Sequence, residues 1–83
     1  MTELETKVLE AIKADCEIDY SSSVKEVAER INLDYSTVKG VVGSLVKKGK
    51  VYAEQEKRGG KVFMDLFYLN EDGQTLSFGD YAA

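Results

Sequence analysis

The sequence predicts a small α+β domain, built from a three-helix core and a C-terminal two-stranded β-hairpin. Two observations lead to this prediction. In the first part of the chain, apolar residues recur in three stretches at the spacing of amphipathic helices, and after Gly49 the pattern changes to the alternation of strands. The chain has 83 residues, which is the length of one small domain.

The first predicted helix begins with a capping box, in which Thr2 and Glu5 satisfy each other's free backbone amides. The apolar spacing that follows predicts a helix over about residues 3–14. Beyond it, Ile18 and Tyr20 alternate with acids. This short stretch is expected to form either a very short strand or a plug in the core.

A second capping box, Ser23 with Glu26, begins a short second helix that ends near Ile31. About three residues later, Asp34 is the expected N-cap of a third helix, its carboxylate accepting a backbone amide of the first turn. Gly49 is the expected stop, because glycine readily adopts the left-handed conformation that ends helices. Two short helices with a tight connection are the outline of a helix-turn-helix.

The third helix has two chemically different faces. Its apolar side chains predict a stripe against the core, centred on Leu45, with Tyr35 packed at the edge; the stripe comprises Val38, Val41, Val42, Leu45 and Val46. The opposite face is small and basic, and comprises Ser36, Gly40, Gly43 and Lys47, flanked by Lys39. Glycine in mid-helix costs roughly 0.5–1 kcal/mol relative to alanine, so this face is interpreted as a surface that a negatively charged partner approaches closely.

The C-terminal hairpin is predicted from a half-buried strand over residues 51–56, a turn over residues 57–61 and a second strand over residues 62–69. The turn reads Lys-Arg-Gly-Gly-Lys, and its two glycines can take positive φ. The second strand is apolar on both faces, so most of it is expected to be covered. Helix, helix, helix, strand, basic turn, strand is the element order of a winged helix.

The charge is distributed in blocks. The net charge is −4, but residues 1–34 carry −5, residues 35–63 carry +5 and residues 64–83 carry −4. A basic segment inside an acidic chain can still bind a polyanion, because the local potential governs docking more than the total charge.

The chain resembles winged helix-turn-helix transcriptional regulators of the MarR and related broad classes in three places: residues 36–38 (Ser-Thr-Val), 45–51 (Leu-Val-Lys-Lys-Gly-Lys-Val) and 68–73 (Tyr-Leu-Asn-Glu-Asp-Gly). The resemblance implies that the third helix enters the major groove of DNA and that the wing touches the backbone or minor groove. MarR-type proteins are longer and dimerise through terminal helices that this sequence lacks. They often carry arginine where this chain has Gly40 and Gly43.

Nine residues are candidates for DNA contact. On the third helix, Ser36 and Thr37 are placed to reach base edges or phosphates, Lys39 and Lys47 (with the adjacent Lys48) to contact phosphates, and Gly40 and Gly43 to allow close approach. On the turn, Lys57, Arg58 and Lys61 are placed to grip phosphates or probe the minor groove. The alternative for each charged residue is an ordinary solvated surface position.

Other classes of function find little support in the sequence. There is no histidine, and Cys16 is the single cysteine, expected to be a small buried or half-buried apolar residue. No phosphate-binding glycine loop, nucleophile motif or membrane-length apolar run is present. The sequence therefore predicts a cytoplasmic protein that is not an enzyme, without metal, cofactor, small-molecule ligand or membrane contact.

The predicted organisation is a winged helix domain of residues 1–73 and an acidic, aromatic tail of residues 74–83. Four alternatives stay open for the tail: it is flexible, it completes the core, it docks on a partner, or it folds back onto the basic face and competes with DNA. The predicted function is binding of double-stranded DNA, sequence-specific or general, by a small transcriptional regulator that acts as a homodimer or with a protein partner. The alternative is a winged helix that serves as a protein-interaction module without binding DNA, using the acidic first helix and the tail.

Overall fold

The computed structural model describes residues 1–70, and it confirms the predicted fold class. Three helices precede two antiparallel strands: α1 (Glu3–Asp19), α2 (Val24–Ile31), α3 (Tyr35–Lys47), β1 (Val51–Arg58) and β2 (Lys61–Tyr68). The hairpin of β1 and β2 is the predicted wing. The domain boundary expected at residue 73 and the tail of residues 74–83 lie outside the described residues.

Helix α1 runs to Asp19, past its predicted end, because its buried stripe continues from Ile12 to Cys16 one turn later. Ile18 lies on the exposed side of this last turn, with 71% of its surface accessible. Tyr20 ends the helix in the left-handed conformation, with a φ of 70°. The expectation of a short strand or a core plug at Ile18 and Tyr20 is therefore wrong.

The helix starts follow the predicted capping positions, with two differences in chemistry. The Thr2 and Glu5 capping box is present in full. The Ser23 hydroxyl accepts the Glu26 amide at 3.1 Å, but the Glu26 carboxylate makes no return bond to the Ser23 amide, so the predicted second capping box is only half formed. Asp34 occupies the N-cap of α3 in an extended conformation, but its side chain makes no capping hydrogen bond. That predicted bond is wrong, and what remains is a carboxylate at the positive end of the helix dipole.

The end of α3 is a Schellman motif centred on Gly49, which has a φ of 73°. The Gly49 amide donates to the Val46 carbonyl at 3.1 Å, and the Lys50 amide donates to the Leu45 carbonyl at 3.0 Å. The predicted glycine stop is confirmed, and it directs the chain from α3 into β1.

The core lies between the three helices and the base of the hairpin. Its buried apolar residues are Val8, Ala11, Ile12, Cys16, Val24, Val27, Ala28, Val38, Val42, Leu45, Val51 and Leu66. Leu45 is fully buried, as predicted for the centre of the α3 stripe. Val46 and Tyr35 are 39% and 53% exposed, so the predicted stripe was too wide on the flank that turns away from α1.

The hairpin turn is tighter than predicted. Arg58 pairs with Lys61 across the ladder, so the turn consists of Gly59 and Gly60 alone. Their φ values of 56° and 79° are both positive, as a two-residue type I′ turn requires. Lys57, Arg58 and Lys61 are consequently strand residues rather than loop residues.

Only the base of the hairpin is covered by the helices. Val51 and Leu66 are buried, and Leu66 also exchanges two backbone hydrogen bonds of 2.8 Å with Ser22, ahead of α2. Val62 and Phe63 are 63% and 43% exposed, because the far half of the hairpin extends beyond the helical layer. The expectation that most of the second strand is covered is therefore wrong.

Glu5 ties the start of α1 to the end of α3. Its carboxylate accepts the Thr2 amide at 2.9 Å and the Lys48 ammonium at 2.7 Å. The hydrogen bond from Lys48, followed by the one from the Thr2 backbone, lowers the pKa of Glu5 from 4.5 to about 2. The charged form is thus the one that the fold stabilises.

Asp15 forms a second buried polar tie, which joins α1 to α2. One carboxylate oxygen accepts the Ser22 hydroxyl at 2.6 Å, and the other accepts Arg30 Nη2 at 2.6 Å and Nε at 3.0 Å. Together with the Ser22 bridge to the hairpin, this tie holds α1, α2 and β2 in one arrangement.

Leu45→Ala should reduce the free energy of unfolding by about 2–5 kcal/mol, because it leaves a cavity at the centre of the core. Urea unfolding of the variant and of the wild type measures this difference. Val46→Ala, on the exposed neighbour, is the control and should change stability much less. A loss below about 1 kcal/mol for Leu45→Ala would contradict the assigned role of Leu45.

Glu5→Gln should destabilise the domain at neutral pH and should flatten its acid dependence. Because the folded pKa is depressed, the contribution of Glu5 is fully present above pH 4.5 and is lost as the pH falls towards 2. Melting temperatures across this range should converge for variant and wild type. Glu3→Gln, which changes an exposed acid in the same turn, is the control; equal effects of the two changes would refute the special role of Glu5.

Candidate nucleic-acid interface

The outer face of α3 is an exposed surface of small and basic residues. All six candidates of this helix are solvent-exposed: Ser36, Thr37, Lys39, Gly40, Gly43 and Lys47. These residues lie on the side of α3 opposite its buried residues, Val38, Val42 and Leu45, so the packing of the buried residues directs them away from the core. The structure thus brings the predicted helix residues together on one surface.

Gly40 and Gly43 leave this surface unobstructed. Apart from the two neighbouring residues and the nearby backbone of α3 itself, a Cβ atom added at either position would meet no atom of residues 1–70 within 4 Å. Within the described part of the chain, no packing contact accounts for a glycine at either place. The alternative that they pack against Phe78 or Tyr81 involves residues outside that part.

A groove of about 520 Å³ runs along α3 on the side of α1, and we call it the α1 groove. Its lining includes Thr2, Ser36, Thr37, Gly40, Ser44 and Lys48. Lys48, one of the candidate phosphate ligands, is paired here with Glu5 at 2.7 Å. This positive charge is already balanced inside the fold, whereas Lys39 and Lys47 appear in none of the ion pairs formed among residues 1–70.

A second groove, of about 420 Å³, lies on the other side of α3, between the helices and the wing. We call it the hairpin groove. Its lining includes Lys25, Tyr35, Lys39, Gln55, Val62 and Met64. Three separate elements of the fold therefore contribute to one concave surface: the start of α2, the start of α3 and the far half of the hairpin.

The basic residues of the wing all lie exposed at its far end. Lys57 pairs with Val62 and therefore lies on the same face of the hairpin as Val62 and Gln55, two residues of the hairpin groove. Arg58 and Lys61 pair with each other and lie on the opposite face. The turn residues thus divide between the two faces of the wing.

Arg58 has intramolecular partners. Its guanidinium lies 4.8 Å from the centre of the Phe63 ring, and its Nε lies 3.6 Å from the Glu56 carboxylate. Both members of this ion pair are more than half exposed. Exposed ion pairs contribute about 0–1 kcal/mol, so a phosphate can replace Glu56 at little cost.

Sequence reasoning missed Lys25 and misplaced Tyr35. Lys25 lies in the acidic first block of the sequence, and only the packing of α2 beside α3 brings it into the groove of Lys39. Tyr35 was expected to pack at the edge of the core, yet half of its surface is exposed. The available signal was the position of Lys25 near the start of the first helix of a helix-turn-helix, a segment that commonly crosses the DNA backbone.

Two other types of site, a metal centre and a membrane span, are not found within residues 1–70. No three His, Cys, Asp or Glu side chains in this range are grouped as metal ligands, and no helix in it is long and apolar enough to cross a bilayer. Cys16 is fully buried, as predicted, and burial raises the pKa of its thiol.

Comparison with known protein families identifies a related family. Residues 1–63, more than half of the chain, match the model of a protein family described as Penicillinase repressor. The matched range contains all three helices, β1, the turn and the start of β2. Searches of curated proteins and of solved structures gave no significant match.

Proposed function

Because the chain belongs to the penicillinase repressor family, we propose that it binds double-stranded DNA through the outer face of α3 and the wing, and represses transcription. The family consists of winged helix DNA-binding transcription regulators, and its members are repressors rather than enzymes. The resemblance to winged helix regulators is thereby confirmed and narrowed to this family.

The observation that carries the proposal is the unobstructed outer face of α3. In the major groove, Ser36 and Thr37 would reach base edges from the first turn of the helix, where recognition helices make their specific contacts. Lys39 and Lys47 would contact phosphates and fix the register. Gly40 and Gly43 would let the groove wall approach the helix backbone.

The wing supplies the second set of contacts. Lys57, Arg58 and Lys61 would neutralise phosphates of the strand that passes the tip of the hairpin. None of them is held by a strong internal ion pair within residues 1–70. Their contribution would be to affinity, since phosphate contacts carry no sequence information directly.

The small size of the proposed interface bears on the oligomeric state of the protein. A lone winged helix with few contacts binds DNA weakly, and members of the family typically dimerise. We therefore propose that the chain binds DNA as a homodimer. We also propose that it acts in the cytoplasm, where a repressor of this kind meets DNA. The alternative function, a protein-interaction module, draws support from exposed apolar side chains such as Ile18 and Val62.

Replacing both Lys57 and Arg58 by alanine should weaken binding to duplex DNA and reduce the slope of log affinity against log salt by roughly one to two units. Both side chains are exposed, so the melting temperature should change little. Fluorescence anisotropy at several salt concentrations measures the slope.

The matched control is the double variant Lys7→Ala with Lys13→Ala, which removes the same charge from α1. If both double variants bind like the wild type at every salt concentration, the wing makes no contact. Absence of any binding by the wild type at low salt would favour the protein-interaction module instead.

Gly40→Gln should stabilise the domain and weaken DNA binding. Replacing a mid-helix glycine by a good helix former gains roughly 0.5–1 kcal/mol, because the space around Gly40 is open. In a domain of this size, that gain raises the melting temperature by about 2–8 °C. Gly40→Ala should show the same stabilisation with a smaller loss of binding, because a methyl group intrudes less.

Thermal unfolding and anisotropy titration of the two variants decide between the explanations. Stabilisation with unchanged affinity would mean that the glycine serves no binding role. Destabilisation would mean that Gly40 packs against another part of the chain.

A further inference from the structure

One face of the wing carries three aromatic side chains. Side chains of a hairpin alternate between its faces, so Tyr52, Phe63 and Phe67 lie opposite to the buried Val51 and Leu66. Tyr52 is 48% exposed, Phe63 is 43% exposed, and the Tyr52 and Phe67 rings lie 6.0 Å apart. Clustered exposed rings are typical of a surface that another segment covers. We call it the aromatic face of the wing, and its residues are Tyr52, Glu54, Glu56, Arg58, Lys61, Phe63, Asp65 and Phe67.

The charge along the aromatic face changes sign between its middle and its tip. Three acids, Glu54, Glu56 and Asp65, lie along the middle, and Arg58 and Lys61 lie at the tip. A segment that follows the face from base to tip should therefore be uncharged over the middle and acidic at the tip, because like charges brought together on docking repel each other.

The end of β2 limits where the next residues of the chain can pack. The Leu69 amide donates to the Lys50 carbonyl at 3.1 Å, so the chain leaves the ladder at the base of the hairpin. Leu66 exchanges two backbone hydrogen bonds with Ser22, which occupies the other edge of β2. A third strand therefore cannot pair along the whole of this edge. The face opposite to the aromatic face is covered by the helices at its base, which leaves the aromatic face as the open path from base to tip.

The sequence after residue 70 is long enough to follow this path. Asp72 and Gly73 form a dipeptide that favours a tight reversal of the chain. From Gly73 to Asp80 the chain advances by as many residues as separate Tyr68, at the base of β2, from Lys61 at its tip. In an extended conformation each of these spans measures about 23 Å. A chain that reverses at Gly73 can therefore bring Asp80 beside the tip.

The same stretch has the pattern of side chains that the face requires. Residues 73–79 carry no charge, and Asp80 follows them. Leu76, Phe78 and Asp80 are spaced by two, so in an extended segment they fall on one side. That side matches apolar residues with the aromatic rings, and it matches the carboxylate with Arg58 and Lys61.

We propose that residues 73–80 of the same chain dock along the aromatic face of the wing, with Leu76 and Phe78 packed on its rings and Asp80 paired with Arg58 and Lys61. This contact does not depend on DNA binding. It bears on DNA binding all the same, because Arg58 and Lys61 are also proposed phosphate ligands. The docked segment and a duplex would compete for the tip of the wing.

Disulfide trapping in the whole chain tests the docking. The test variant is Lys61→Cys with Asp80→Cys, and its matched control is Lys57→Cys with Asp80→Cys, since Lys57 lies at the tip on the other face. The native Cys16 is fully buried. Docking holds the first pair of thiols at a high effective concentration, so with oxidised glutathione this pair should form an intramolecular disulfide about tenfold faster than the control pair.

Two additions to the test variant examine what holds the segment. Phe78→Ser should slow the disulfide to the rate of the control pair, because it removes the packing on the rings. Tyr81→Ser should leave the rate unchanged, because residue 81 falls on the other side of an extended segment. Melting temperatures of these variants show whether a change in rate reflects unfolding.

Three results would decide the inference. Equal rates for the two cysteine pairs would overturn it. Disulfides that form mainly between two chains, seen on non-reducing gels, would assign the face to a second copy and overturn it as well. A fast intramolecular disulfide that Phe78→Ser slows would support it.

A saturating DNA duplex should also slow the disulfide, and this arm alone rests on the proposed function. A fast disulfide that the duplex leaves unchanged would support the docking and would contradict the proposed contact of the wing with DNA.

Discussion

Burial of the apolar stripe of α3 is the interaction on which the rest of the structure depends. Val38, Val42 and Leu45 join the core shared with α1 and α2, and this contact fixes the rotation of α3 about its axis. Successive residues of a helix are rotated by about 100° around its axis, so burial of this stripe turns the small and basic residues outward. The proposed DNA-binding surface is therefore a geometric consequence of the core.

Internal ion pairs and the packing of the helices decide which lysines contribute positive charge to the surface near α3. The Glu5 carboxylate balances Lys48 within the fold, although Lys48 belongs to the basic block of the sequence. Lys25 belongs to an acidic block, yet it faces the groove between α3 and the wing. The surface potential near α3 thus depends on which lysines the fold leaves unpaired as well as on the number that the segment contains.

The wing joins an anchored base to an exposed far half. Isolated two-stranded hairpins are marginally stable in water, and here Val51, Leu66 and the bridge to Ser22 supply the anchorage. The far half extends beyond the helices with apolar residues such as Val62 exposed. Anchoring the base fixes the direction of the far half, which is what allows the wing to form one side of a groove.

Local sequence patterns were enough to predict the element order, the caps at Thr2 and Ser23 and the stop at Gly49, because these depend on periodicity and on conformations that only a few residue types favour. The nine candidate DNA contacts stay predictions, and the structure shows only that their side chains are exposed. Packing between elements sets the length of α1, the exposure of Tyr35 and of the far half of β2, and the position of Lys25 beside Lys39. Burial and proximity are properties of pairs of elements, and the spacing of residues within one element does not specify where its neighbour ends.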